Sequence, residues 1–206
     1  MRYLSIQRLT LSSLGICVII LLIVLLLALF SDVTFPLLSQ ERASIAHGEW
    51  WRLLTSHFVH FGWAHTLMNM AAFAIFAFAF AQEFSPLRFV ALVLFCCAAV
   101  GAGIYFLNPE YEVYAGLSGV IHGFFIAGLV LNKRHSLWLN GLFVAALFGK
   151  ILMEQLPGYQ TTELQALLPV AVAYDAHLYG AIAGLIFGAS HLLVDTYLRQ
   201  QPKRDS

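Results

Sequence analysis

A serine and a histidine, each at the mouth of an apolar helical run, are the parts of a nucleophile and its base. Ser118 lies in Gly116-Leu117-Ser118-Gly119, and His177 lies in Ala176-His177-Leu178-Tyr179-Gly180. A serine hydroxyl attacks poorly until a neighbouring base takes its proton. A membrane is an expensive place for polar side chains, so their presence there asks for a reason. Acyl transfer also needs donors for the oxygen that gains charge. His65 and Asn69 are four residues apart and share one helix face. Asn69 offers an amide donor and His65 a ring N–H. The Ser118 backbone N–H, at a helix start, has no acceptor within its own helix.

Each of these residues also has a purely structural reading. A serine on a small-residue helix face can simply bond backbone, and an asparagine can simply bridge two helices. The combination is what favours catalysis.

The elements that must position these residues are membrane helices. Of 206 residues, 60% are hydrophobic and 11% charged, where a soluble domain is nearer half apolar and a quarter charged. The expected fold is an all-α polytopic membrane protein. A formal net charge of +0 gives no basic surface for nucleic acid. Cys17, Cys96 and Cys97 lie in apolar runs without metal or disulfide spacing and read as packing residues. A spanning helix takes about 20 mainly apolar residues. Segments 11–30, 63–82, 87–107, 116–132, 137–155 and 176–198 are six such candidates in a single domain over 1–206, with a long outer loop at 31–62. The first follows Arg2 and Arg8, but it exceeds a signal-peptide core and lacks a cleavage site, so it reads as a retained helix. Trp50 and Trp51 suit the membrane interface.

Placing the N-terminus inside puts Arg2, Arg8, Arg88, Lys133, Arg134, Arg199, Lys203 and Arg204 on the inner side, against Arg42 and Arg52 outside. The positive-inside rule then favours N-in and C-in. In that orientation the second, fourth and sixth segments all start on the outer side. His65, Asn69, Ser118 and His177 would share one depth. Gly119, Gly123 and Ala127 recur every four residues on the fourth segment, as do Gly180, Gly184 and Gly188 on the sixth. Such stripes let membrane helices approach closely. If the two pack together, serine and histidine meet at the top of the contact. Leucine at Gly184 should then be damaging, and alanine far milder.

The HxxxN of His65 and Asn69, the GxSG around Ser118 and the AHxxGxxxG from Ala176 to Gly184 together resemble the rhomboid intramembrane serine proteases. Trp51-Arg52 and His60 also fit that family's first loop. The resemblance implies a six-helix bundle and a serine endopeptidase acting through a Ser118–His177 dyad, without an aspartate. His65, Asn69 and the Ser118 amide would form the oxyanion hole, with Gly116, Gly119 and Gly180 supporting the site. Substrate would be a membrane-anchored protein, entering from the lipid bilayer near the second and fifth segments, and no cofactor is implied. At His122 many rhomboids carry a tyrosine that stacks on the catalytic histidine. His122 could stack there, serve as a rival base, or only pack. The run Tyr114 to Gly123, the run Asp175 to Gly180 and the short form are most similar to the rhombosortase branch. Those enzymes are associated with proteins bearing a C-terminal Gly-Gly motif, a membrane helix and a basic tail, in the bacterial inner membrane with the site toward the periplasm.

Weaker candidates surround these. Asp175 precedes His177 by two, so on one helix the side chains diverge; it reads as a solvated loop acid. Lys150 and Glu154 read as an ion pair or as snorkelling side chains near the outer end of the fifth segment. His57 and His60 with His65 could suggest a metal, but their spacing is poor for zinc and His60 better suits a loop buttress. His47, His135 and His191 have no constellation around them. Two other functions compete. A rhomboid-like pseudoenzyme that binds or escorts membrane clients would need neither Ser118 nor His177. A small transporter would call for midplane charges and inverted repeats, which are not evident.

Overall fold

In lipid a backbone amide finds no partner outside its own chain, so apolar runs of this length become helices. The computed structural model describes residues 12–159 and 167–200. Along them run α1 (Ser13–Leu29), α2 (Ser31–Leu38), α3 (Arg42–Ala46), α4 (Arg52–Thr55), α5 (Gly62–Phe80), α6 (Pro86–Leu107), α7 (Ser118–Leu131), α8 (Leu137–Glu154) and α9 (Tyr174–Gln200). Two-residue strands β1 (Gln40–Glu41) and β2 (Val113–Tyr114) pair antiparallel, Gln40 opposite Tyr114. Local signals set several helix starts. The Ser12 hydroxyl accepts from the Gly15 amide at the head of α1. Ser85 caps α6, with Pro86 in its first turn, where the missing N–H costs nothing.

Among the described residues, four helical stretches are long and apolar enough to cross a bilayer: Gly62–Glu83, Pro86–Leu107, Leu137–Glu154 and Tyr174–Leu198. The pair α1 and α2, bent by 109° at their junction, makes a fifth candidate. The chain is thus a multi-pass membrane protein built as a helical bundle. α7 is apolar but only 14 residues long, shorter than the 116–132 expected, because residues 116 and 117 belong to the approach rather than to the helix. α9 begins at Tyr174, two residues earlier than the pattern suggested. Residue 11 and the charges Arg2, Arg8, Lys203 and Arg204, with the Arg199 side chain, lie outside what the structure describes.

The stretch expected as one long loop, 31–62, contains α2, α3 and α4. Two arginines hold it. Arg52 is buried, donating from Nη1 to the carbonyls of Pro36 (2.8 Å) and Ser39 (2.7 Å) and pairing through Nε with Glu49 at 2.6 Å. Arg42 donates to the carbonyls of Tyr105 (2.8 Å) and Asn108 (3.1 Å), capping the end of α6. Trp50 and Trp51 are each about half exposed. The three cysteines are buried and unpaired.

α7 occupies the middle of the bundle, with most of its residues buried. Phe124 on α7 packs against Phe73 and Phe76 of α5 and Phe89 of α6, all of them almost wholly buried. This apolar base holds rigid the helix that starts at Ser118.

Candidate active site

The approach to Ser118 is fixed residue by residue. Gly116 has φ +124°, a conformation that L side chains rarely adopt. A Cβ there would also lie 2.6 Å from the His65 ring. Both conformation and space therefore require glycine. The Gly116 amide donates to the Ser56 carbonyl at 3.0 Å, and the Tyr114 hydroxyl donates to the Gly116 carbonyl at 3.1 Å. The next amide, of Leu117, donates to His60 Nε2 at 3.4 Å. Ser118 then opens α7.

Helices α7 and α9 cross backbone to backbone. A Cβ on Gly119 would come within 2.6 Å of the Ala176 carbonyl oxygen, and one on Gly123 within 2.5 Å of the Gly180 carbonyl oxygen. Added carbons on Gly180 and Gly184 would overlap the carbonyls of Gly119 and Gly123. The two stripes thus face each other, as their spacing predicts, but more tightly. Even a methyl group at Gly184 has no room, so the expectation of a mild alanine there is corrected.

At the top of this crossing His177 Nε2 lies 3.2 Å from Ser118 Oγ. His177 is buried, at 3% exposure. Its other nitrogen, Nδ1, lies 2.9 Å from Glu154 Oε2. An ionised carboxylate only accepts, so Nδ1 carries the hydrogen and Nε2 turns a lone pair toward the serine. His122 stacks on His177, with ring centroids 4.1 Å apart and planes inclined by 22°. His122 Nδ1 lies 2.8 Å from the Ser118 carbonyl, and Lys150 Nζ lies 3.2 Å from His122 Nε2. An ammonium only donates, so His122 Nε2 accepts and its Nδ1–H donates to the carbonyl.

His122, Glu154 and His177 present ligand atoms within 4.8 Å of one another, near enough to suit a metal ion. The Lys150 ammonium already brings positive charge to this group, in contact with both Glu154 and His122. His57, His60 and His65 do not form such a group among the described residues. His57 Nε2 donates to the Cys97 carbonyl at 2.9 Å, and His60 serves the loop before Ser118. Burial lowers the basicity of His57 to about 4. Burial, then the neighbouring His65 and His57, lowers that of His60 to about 3.

His65, Asn69, Ser118, His122, Lys150 and His177 line one cavity of about 180 Å³. Asn69 Nδ2 donates to the His65 carbonyl at 3.0 Å. A second cavity of about 340 Å³ continues past Ser118 and His65, between Tyr111 and Val113 on one side and Leu168 and Val172 on the other. An apolar groove of about 590 Å³ opens beside His122 between α5, α7 and α8, lined by Phe80, Ile121, Phe125 and Leu147.

Sequence reasoning missed Glu154. Its side chain is fully buried, and it touches His177 as well as the expected partner Lys150. The ion pair read from the sequence is present, but its acid is buried against the histidine rather than free in solvent. An acid within an apolar helix was the available signal, because a charge at that depth needs a partner. Asp175 lies in the first turn of α9 rather than in a loop. It accepts from the Tyr111 hydroxyl at 3.1 Å, tying β2's approach to α9.

Comparison with known proteins identifies the family. The Rhomboid domain model matches residues 47–193, well over half of the chain. Similar relatives include "Putative rhomboid protease YdcA" of Bacillus subtilis (strain 168), 38% identical over 82 residues, which is 39% of this chain and 41% of that protein. "Rhomboid protease GluP" of the same organism is 35% identical over 85 residues, 41% of this chain and 16% of that protein. The matched stretch spans less than half the length of each relative. The family model, matching across α4 to α9, carries the assignment: the chain belongs to the rhomboid family.

Proposed function

We propose that the protein is an intramembrane serine protease in which Ser118 is the nucleophile and His177 its base. The observation that carries this reading is the 3.2 Å approach of His177 Nε2 to Ser118 Oγ at the wall of a cavity. Ser118 Oγ attacks the peptide carbonyl as His177 takes its proton. The oxyanion is held by the Ser118 amide, the His65 ring and the Asn69 side chain. His177 then gives its proton to the leaving amine, and water enters to release the acyl group from Ser118. Gly116, Gly119 and Gly180 support the site by permitting the close approaches they make. His122 supports it by stacking on the imidazole.

The proposed topology is one membrane domain over 1–206. α7 serves as a short sixth span, both termini lie on the inner side, and the site faces the outer side, the periplasm of a bacterial inner membrane. The charge asymmetry of the loops supports that orientation. Substrate is a membrane-anchored protein, entering from lipid through the groove between α5, α7 and α8. Within the family the proposed activity is that of a rhombosortase, removing the C-terminal anchor of Gly-Gly-tailed exported proteins. The runs Tyr114 to Gly123 and Asp175 to Gly180 support that branch.

The test is co-expression with a Gly-Gly-tailed substrate, read by mass spectrometry of the substrate's C-terminus. Wild type should trim the tail. Ser118→Ala should be folded, membrane-inserted and inactive, and His177→Ala comparably inactive, since members of such a unit do not lose activity additively. Normal trimming by Ser118→Ala would overturn the serine-protease reading.

A further inference from the structure

Residues Lys150 and Glu154 sit one turn apart on α8, and the protease reading, as a Ser–His pair, uses neither. Their placement is unusual for a snorkelling pair. Lys150 is partly exposed, with 45% of its side chain accessible, whereas the Glu154 side chain has none. A carboxylate in the interior of a membrane protein without compensation is costly. The Lys150 ammonium stands 2.6 Å from Glu154 Oε1, an approach of charge rather than an aligned hydrogen bond. That leaves Oε2 for the Nδ1–H of His177.

The contacts close a circuit. Ser118 Oγ meets His177 Nε2, and His177 Nδ1–H meets Glu154. Glu154 meets Lys150, Lys150 meets His122 Nε2, and His122 Nδ1–H returns to the Ser118 carbonyl. Every hydrogen in the circuit has one direction, set by an ammonium that only donates and a carboxylate that only accepts. A merely structural ion pair would have no need to fix the tautomer of the base.

The geometry points to Glu154 as the positioning residue of the catalytic histidine, with Lys150 compensating its charge, so that the site works as a Ser118–His177–Glu154 triad. This inference rests on the serine-protease reading. When Ser118 Oγ attacks, its proton moves to His177 Nε2, and the imidazolium forms between the Glu154 carboxylate and the His122 ring. Glu154 holds the ring and stabilises its charge but takes no proton, and the proton passes from Nε2 to the leaving amine.

The experiment measures kcat and KM per folded molecule for Glu154→Gln, Glu154→Asp and Lys150→Met, beside wild type and Ser118→Ala. Glutamine removes the charge and can present its amide hydrogens to Nδ1, favouring the wrong tautomer. Glu154→Gln should lower kcat by roughly 10²- to 10⁴-fold, with KM within about threefold of wild type. Glu154→Asp should recover part of the loss, because it restores an acceptor with charge on a shorter arm. Lys150→Met should also depress kcat, since it leaves the carboxylate uncompensated. Wild-type kcat per folded molecule in Glu154→Gln would overturn the triad, as would equal losses of kcat in the Gln and Asp variants. If Ser118→Ala itself cleaves, the protease reading fails. If it is inactive while Glu154→Gln is fully active, only the triad fails.

Discussion

Asn69 gives one amide hydrogen to the His65 carbonyl one turn earlier, and its second is available to the cavity it lines. That bond orients the amide in advance. In the proposed oxyanion hole Asn69 is one donor of three. Asn69→Ala should therefore lower turnover by roughly 10²-fold or less without abolishing it. An unchanged rate with every substrate tested would remove Asn69 from the site. At this scale the sequence was informative for the residues that sit in short local patterns. Ser118 lies in GLSG, His65 and Asn69 lie one turn apart, and His177 precedes a glycine stripe. Glu154 is 23 residues from the histidine it touches and belongs to no such pattern. Its spacing to Lys150 reads equally well as a surface pair, and only the fold distinguishes the two.

Helices α7 and α9 are the element pair on which the Ser118–His177 distance depends. Their contact is made by main chain, so the distance is set by carbonyl oxygens rather than by deformable side chains. Gly184→Ala should consequently injure activity as well as Gly184→Leu, by forcing the helices apart at the Gly123 carbonyl. A displacement near 1 Å can cost about 10² in rate. Cleavage assays and thermal melts in detergent on both variants check this. Full activity in Gly184→Ala would show that the crossing relaxes without moving His177. The sequence revealed that small residues recur here, but not how close the helices come. It likewise revealed the length of the stretch 31–62 but not α2, α3 and α4 within it. Those helices are too short to show an apolar period, and the buried Arg52 and the capping Arg42 anchor the segment through carbonyls that no sequence pattern marks.

For the whole molecule, two buried histidines within the first loop make stability depend on acidity. His57 is neutral when folded because burial lowers its basicity from the ordinary 6.5 to about 4, its bond to the Cys97 carbonyl opposing only in part. The unfolded chain takes up a proton below about 6.5, and the folded chain does so only near 4. Stability should thus be level above pH 6.5 and fall as the pH drops from 6.5 towards 4. His60 acts with the same sign and extends the fall towards 3. Thermal melts in detergent across this range measure it. His57→Gln retains a donor for the Cys97 carbonyl and should flatten the slope. An unaltered slope would assign the acid sensitivity to other groups.

The 14 residues of α7 imply a length of about 21 Å at 1.5 Å per residue. The hydrocarbon layer is about 30 Å thick. A helix that falls short by about 9 Å cannot place both its ends at the two aqueous surfaces. In the proposed topology, with its inner end level with its neighbours, Ser118 would lie well below the outer headgroups, at the floor of a recess. The proposed hydrolysis would then take place in a region where water is scarce, with the supply of that reactant governed by the depth of the recess. Helix length would thereby act as a ruler for the proposed chemistry, and the thickness of the surrounding lipid would become, in effect, a component of the site.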